Sequence, residues 1–372
     1  MFDFTSTGNK SLLYSPCAAI INSRQAAFPV GSNPWVKNSL RAVEHIAGRE
    51  KTIVTSIGMN TWELVLACAS RIGIPVIVII PDKYSTNEQL IDKLVDEFKL
   101  SPENLCLLFP ETDFRAKQDR MHWRDNVVCD IADSVIPVSI RPKGHFDTFL
   151  QTTDKQIFSR YHVPFSKSAR PRPNYNNISF SSELNDDWVI HFTRSNKYSR
   201  PGQSKFDYYR EIINSDAEYC NSAFNNLMSI LRLKKIFASG KYIRSDKPVV
   251  GFTLYNSDFA GNLFRYRPRM INPYFEPFGI ALQKEYAREI GLKPVIYGNI
   301  DNYKSLANTE KPLFQAEGIK GQWISDHEWR HIGDLDLNGL DSKSVRVVVP
   351  RNLDRLRLHD ATPFQITTIS IE

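Results

Sequence analysis

One short span gathers more reactive side chains than any other part of this chain. It reads Gly321-Gln-Trp-Ile-Ser-Asp-His-Glu-Trp-Arg-His-Ile-Gly-Asp-Leu-Asp-Leu337. Two chemistries fit it. His327-Glu-Trp-Arg-His331 matches H-E-x-x-H, which on a helix turns His327 and His331 toward one zinc ion with the intervening Glu as general base. Alternatively Glu328 is a carboxylate in an extended segment, placed to steady a developing positive charge. The surroundings favour the second, so no metal is expected. Gly333 follows almost at once, and Asp334-Leu-Asp-Leu337 alternates with period two, the pattern of a strand rather than a helix. The only later histidine available as a third ligand is His359.

The elements that must position such residues fall into two domains, which 372 residues accommodate. A hydrophobic content of 42% with 24% charged residues is that of a globular chain, not a disordered one. The longest apolar run, Ile74-Pro-Val-Ile-Val-Ile-Ile80, has the length of a buried strand and excludes a membrane span there. Met-Phe-Asp-Phe-Thr opens the chain without a basic region and apolar core, so no signal peptide is expected. Five widely spaced cysteines (Cys17, Cys68, Cys106, Cys129, Cys220) suit buried thiols in a reducing cytoplasm. A net charge of +6 permits nucleic-acid binding without requiring it.

Residues 1–150 read as an α/β domain. Short apolar strands at 18–22, 52–55, 75–80, 105–108 and 134–138 alternate with helical stripes, among them Val36, Leu40, Val43 and Ala47. That alternation predicts a parallel sheet covered on both faces, with ligands at the carboxyl ends of its strands. Small and polar residues cluster there: Asn22-Ser-Arg-Gln25 after the first strand, Ser56-Ile-Gly-Met-Asn60 after the second, Lys143-Gly-His-Phe-Asp147 after the fifth. The glycine turn before a helix is expected to leave N–H groups free for a phosphate.

The order Ile-Ile-Asn-Ser-Arg, Ile-Val-Thr-Ser-Ile-Gly-Met-Asn, Pro-Val-Ile-Val-Ile-Ile-Pro, then Trp-Arg-Asp-Asn-Val-Val-Cys-Asp over 15–150 resembles the DprA/Smf and LOG group of the SLOG superfamily. The resemblance implies a Rossmann-like fold that binds nucleotides, nucleotide-derived ligands or single-stranded DNA. By position, Ser23 and Arg24 resemble the family's Gly-Ser-Arg turn, Ser56 and Gly58 its Ser-Gly-Gly loop, Arg124 with Asp125 its Arg-Asn pair, and Gly144 its last glycine turn. Asn22, Ile57 and Asp125 depart from the pattern, which points to ligand binding rather than hydrolysis.

Residues 151–187 read as a linker. Arg160, His162, Lys167, Arg170 and Arg172 interleave with three prolines and with Tyr161, Phe165 and Tyr175, a mixture that suits a solvated connection or contact with phosphates and bases.

Residues 188–372 read as a mixed α+β domain. Trp188-Val-Ile-His-Phe-Thr-Arg194 is a strand carrying His191; Ala223, Leu227, Ile230 and Leu231 stripe a helix; Val249-Val-Gly-Phe-Thr-Leu254 is another strand. These segments, with Tyr-Phe-Glu-Pro-Phe-Gly-Ile-Ala-Leu and Trp-Ile-Ser-Asp-His-Glu-Trp-Arg, resemble abortive-infection proteins of the AbiGi type, a phage-defence family, and a related group of uncharacterised domains. The same layout is distantly similar to DarT-type ADP-ribosyltransferases. That similarity implies NAD as a cofactor, with His191 holding it, Glu328 catalytic, and Arg194 or Arg330 on its pyrophosphate. It also implies Tyr255, Tyr266 or Tyr274 as the ring beside the nicotinamide. A carboxylate bonded to the ribose would favour the oxocarbenium-like state formed when the glycosidic bond breaks.

Three functions follow as expectations. The first is ADP-ribosyl-type transfer or NAD cleavage. The second is modification of DNA bases, with metal-assisted hydrolysis as one form. The third is a non-catalytic module that binds DNA or a nucleotide. The first needs the side chains of residues 191 and 328 in one crevice.

Overall fold

The structure is a computed structural model and describes residues 3–82, 87–166, 178–179, 184, 187–240, 243–254, 264, 266–267, 272–273, 275–317 and 327–371. Contacts within the chain divide it into two compact units, Met1–Arg170 with Gln203–Cys220, and Pro171–Gly202 with Asn221–Glu372. Residues 203–220, which composition groups with the second domain, therefore pack into the first unit.

The first unit is a seven-stranded sheet. Its strands are β1 (Phe4–Gly8), β2 (Cys17–Asn22), β3 (Thr52–Ser56), β4 (Val76–Ile79), β5 (Leu105–Pro110), β6 (Ser134–Ser139) and β7 (Gln156–Ile157), in the order β1-β5-β4-β3-β2-β6-β7. All neighbours are parallel except β1, which runs antiparallel to β5. β2 to β6 are buried at every position, as sheets covered on both faces require. Alternate residues serve two cores. Ala18, Ile20, Ile53, Val76, Val78 and Leu107 meet α1 (Pro34–Ala47), α2 (Asn60–Ile72) and α3 (Asn87–Phe98). Ala19, Ile21, Val54, Ile77 and Leu108 meet α4 (Lys117–Ile131) and α5 (His145–Thr152).

A sixth helix, α6 (Lys205–Asn214), joins the first of these layers through Tyr208, Tyr209 and Ile212. Glu63 of α2 binds it, with Lys205 Nζ 3.0 Å from one carboxylate oxygen and the Tyr209 hydroxyl donating to the other at 2.9 Å. Burial, helped by Glu63, pushes the Tyr209 phenol well above its ordinary pKa, so this hydroxyl remains a donor at neutral pH.

Strand order fixes where a ligand would go. Successive crossovers from β2 through β5 move one way across the sheet. The connection from β5 to β6 returns to the other side of β2. The loops after β2 and β6 consequently leave in opposite directions and open a crevice at their carboxyl ends.

The second unit holds another seven-stranded sheet. Its strands are β8 (Trp188–Phe192), β9 (Val249–Leu254), β10 (Gly279–Gln283), β11 (Lys293–Pro294), β12 (Glu328–Ile332), β13 (Val345–Val349) and β14 (Gln365–Thr368), in the order β11-β12-β9-β8-β10-β13-β14. Pairing is antiparallel except between β13 and β14. Val189, Phe252, Ile280, Trp329 and Val347 form a core with α7 (Ala223–Leu233). Trp188, Ile190, Phe192, Ala281 and Val348 form a separate core on the opposite face. Helix α7 is capped by Ser222, whose hydroxyl accepts the N–H of Asn225.

No helix among the described residues is long and apolar enough to cross a membrane. All five cysteines are buried and free. Burial pushes the thiols of Cys68 and Cys129 up to about 12, so neither is a thiolate nucleophile at neutral pH.

Candidate functional site

Of the segment richest in reactive groups, residues 321–326 lie outside the described residues and the remainder is held in local structure. Glu328–Ile332 is a strand, so the H-E-x-x-H pattern does not lie on a helix. At about 3.3 Å per residue, His327 and His331 are about 13 Å apart along the chain, too far for one metal ion. His331 Nδ1 instead lies 3.2 Å from Gly333 O. Among the described residues, no group of three or more His, Cys, Asp and Glu is arranged to hold a metal.

Nor does the sheet bring His191 and Glu328 together. Glu328 pairs with Thr253, and Thr253 with Ile190, so Glu328 shares the face of Ile190. A Cβ placed on Gly251 would meet Glu328 Oε1 at 3.2 Å, which puts the carboxylate over that same face. His191 is one residue on, and its ring lies 5.6 Å from that of Phe252 in the other core. Side chains one position apart along a strand leave by opposite faces. The shared crevice required for ADP-ribosyl transfer is therefore not formed by this pair.

Each of the two has a local role. His191 is half-buried, with Nδ1 2.8 Å from the Gly251 carbonyl, so Nδ1 carries the proton of the neutral ring. Burial pushes its pKa below 6.5, outweighing the opposing effect of that bond. An imidazole held neutral in the fold stabilises it fully above pH 6.5. That contribution is lost as pH falls from there toward the folded pKa, because the unfolded chain takes up a proton that the folded one resists. The urea midpoint of the wild type is expected to fall between pH 7.5 and pH 5.5 by more than that of His191→Asn. Equal falls would contradict this assignment.

Arg330 is 2% exposed, and its five N–H groups all have acceptors. Nε donates to Glu328 Oε1 at 2.8 Å, and Nη2 to Glu328 Oε2 at 3.1 Å and Gln315 Oε1 at 2.7 Å. Nη1 donates to Pro312 O at 3.0 Å and Phe314 O at 2.8 Å. No donor remains for a pyrophosphate. Its role is to fasten the segment carrying Pro312 and Phe314 to β12. Gly251 leaves room for the Glu328 carboxylate beneath this fork. Gly251→Ala is expected to destabilise the protein by about 1 kcal/mol through overpacking, read as a lower urea midpoint. A neutral or stabilising effect would refute the close approach.

Arg194 is exposed after β8, and its carbonyl accepts Asn226 Nδ2 at 2.7 Å. Tyr255 and Tyr274 lie outside the described residues, and of Tyr266 only the backbone is described.

Of the other predicted residues, Ser23, Arg24 and Gly144 lie on the loops of the first-unit crevice. Ser23 N–H donates to Ser139 O at 2.9 Å, and Ser23 Oγ accepts the N–H of Arg141 at 2.9 Å. These bonds join the loops after β2 and β6. Arg24, Arg141 and Lys143 are exposed here, and among the described residues none of their side chains is ion-paired, while the Lys143 backbone N–H donates to Asp147 Oδ2 at 2.7 Å. Gly144 is the N-cap of α5 without a side-chain cap, and its N–H donates to Arg141 O at 3.1 Å. Exposed His122 and His145 stack nearly parallel, 5.4 Å between centroids, where α4 and α5 meet this edge.

Two polar atoms at the same edge are buried without a partner, Asn22 Oδ1 and Trp62 Nε1. Arg124 is 3% exposed; it is paired with Asp125 at 2.7 Å, and its guanidinium is 5.8 Å from the Trp62 ring centre.

The turn after β3 departs from expectation. Gly58 adopts φ +84°, yet its N–H donates to Glu63 Oε1 at 3.0 Å. The Ser56 hydroxyl donates to Ile79 O at 2.6 Å. An acid in the first turn of α2 has thus taken the donor that a phosphate would need. Arg141, Lys143, His122 and His145 were not singled out from the sequence as ligand contacts. The run Arg141-Pro-Lys-Gly-His145 at a strand-to-helix junction was the available signal.

No family model matches this chain, and no curated protein matches it. Among solved structures it is similar to DNA processing protein A from Helicobacter pylori, described for its single-stranded DNA binding mode, at 21% identity and a TM-score of 0.28. The match covers 38% of this chain and 62% of that one.

Proposed function

We propose that this chain binds nucleotides or single-stranded nucleic acid through phosphates held at the β2–β6 crevice of the first unit. The observation that carries this reading is the placement of Arg24, Arg141 and Lys143 on the two loops that meet there, three cations whose side chains have no ion-pair partner among the described residues and outnumber the one nearby acid, Asp147. Ligands of open α/β sheets enter at such a reversal of strand order, and unneutralised cations in a crevice focus the field on a phosphate. The first turn of α5 lacks a side-chain cap at Gly144, although its Asp147 carboxylate takes the Lys143 N–H at 2.7 Å, so only the N–H groups of the turn itself are left for a phosphate. The stacked, exposed His122 and His145 offer a flat surface for a base. Binding without catalysis is the form of the proposal.

The test is fluorescence anisotropy of a fluorescein-labelled oligothymidylate titrated with the full chain. A saturable rise is expected, with a dissociation constant of roughly 1–100 μM at physiological salt. No rise even at 50 mM salt would reject the proposal.

A further inference from the structure

The second unit carries an open pocket of about 490 Å3 that belongs to neither sheet face described above. Arg244, Lys247, Tyr303, Asn308 and Lys311 line it, and the Tyr303 hydroxyl donates to Arg244 O at 3.4 Å. Arg244 and Lys247 are exposed, and among the described residues none of the three cations is paired with a carboxylate. Asp246 is the one acid in the lining, and it accepts the Ser245 hydroxyl at 3.1 Å. Three cations against one carboxylate leave the pocket electropositive.

Its walls are built rather than incidental. The Tyr303 ring packs against Phe314 with centroids 5.1 Å apart, and Lys311 Nζ lies 5.8 Å from the Tyr303 ring centre. Lys311 Nζ also donates to Asn308 Oδ1 at 2.8 Å, which holds the ammonium in the lining. The Arg330 fork holds the carbonyls of Pro312 and Phe314, so the turn carrying Lys311 and the ring backing Tyr303 are both anchored to the buried sheet.

We infer that this pocket is a second nucleotide site, independent of the first-unit crevice. Arg244, Lys247 and Lys311 hold the phosphate, and the half-buried Tyr303 ring receives the base. An isolated phosphate would need the cations alone. An aromatic side chain interleaved among them adds affinity for a planar base of any sequence, the pattern of surfaces that bind single strands. The nucleotide comes either free or within a strand, and both sources present the same phosphate and ring.

Photolabelling of the full chain tests the inference and separates the two sources. One arm uses 8-azido-ADP, the other an oligothymidylate substituted with 4-thiothymidine. Peptides are mapped after irradiation. Labelling of the peptide containing Tyr303 by either probe is the expected result, and labelling by neither overturns the inference. Arg24→Ala/Arg141→Ala should leave that labelling in place, because those residues belong to the other site. In Arg244→Ala/Lys247→Ala/Lys311→Ala, with the circular dichroism spectrum unchanged, the label should fall at least about tenfold, since each lost phosphate contact weakens binding. Tyr303→Ala should lower it at least about fivefold and Tyr303→Phe by less than half as much, because stacking needs the ring while the hydroxyl only steadies the Arg244 carbonyl. Undiminished labelling in the triple variant would show that the probe reaches this peptide without the proposed contacts, and would overturn the assignment.

Discussion

Arg330→Met is expected to destabilise the second unit by about 2–4 kcal/mol, because the buried guanidinium's carbonyl acceptors lose their donors while its Glu328 partner is only part-buried. The side chain is of similar length, so the loss is chiefly electrostatic. The carbonyls of Pro312 and Phe314 lose their donors, and Glu328 is left beside an apolar group. Unsatisfied buried acceptors cost more than the net value of the bonds they made. Glu328→Gln in the same chain should recover part of the loss, because it removes the carboxylate charge left without its guanidinium partner. Urea unfolding followed by tryptophan fluorescence reads this well, since Trp329 and Trp188 lie in the unit's two cores. A loss below about 1 kcal/mol would mean that the five-donor fork is not what fastens this segment.

Arg24→Ala/Arg141→Ala/Lys143→Ala is expected to weaken oligothymidylate binding by tenfold or more at 0.1 M salt, with little change in stability, because all three side chains are exposed. The more diagnostic quantity is the salt slope. Each phosphate neutralised on a single strand contributes about 0.7 to the slope of log affinity against log salt. Loss of three contacts should make the slope shallower by about 2. An unchanged slope would place the phosphate contacts elsewhere in the chain. Ser23 and Gly144 shape the loops through backbone bonds and are poorer sites for this test.

Much of the first unit was legible in its residues. Runs such as Val-Ile-Val-Ile at 76–79 and Leu-Cys-Leu-Leu at 105–108 admit little except buried strands, and the helical stripes between them imply parallel pairing. The antiparallel β1 was not legible, because Phe-Thr-Ser-Thr-Gly carries too little apolar surface to announce a strand. Helix α4 begins at Lys117, well before Arg124, where the apolar pattern starts, since Lys-Gln-Asp-Arg shows no apolar stripe. The crevice was half legible. Ser23, Arg24 and Gly144 belong to it, but the capture of the Gly58 N–H by Glu63 depends on a side chain reaching back from α2.

Least legible was the relation of His191 to Glu328. Whether two strand residues share a face depends on pairing register, and shifting that register by one residue exchanges the faces. The pairing of Glu328 with Thr253, and of Thr253 with Ile190, places the acid one residue out of step with the imidazole. The spacing of Glu328 and Arg330 on one strand did hold information, because residues two apart lie on the same face. The fork between them is the outcome.

Hydrogen–deuterium exchange of the full chain with and without oligothymidylate tests the central claim most directly. The predicted result is slower exchange on binding in peptides covering 22–26 and 139–147, the two loops that meet where strand order reverses. Binding that leaves both loops exchanging at the rate of the free protein would contradict the placement of the ligand in this crevice.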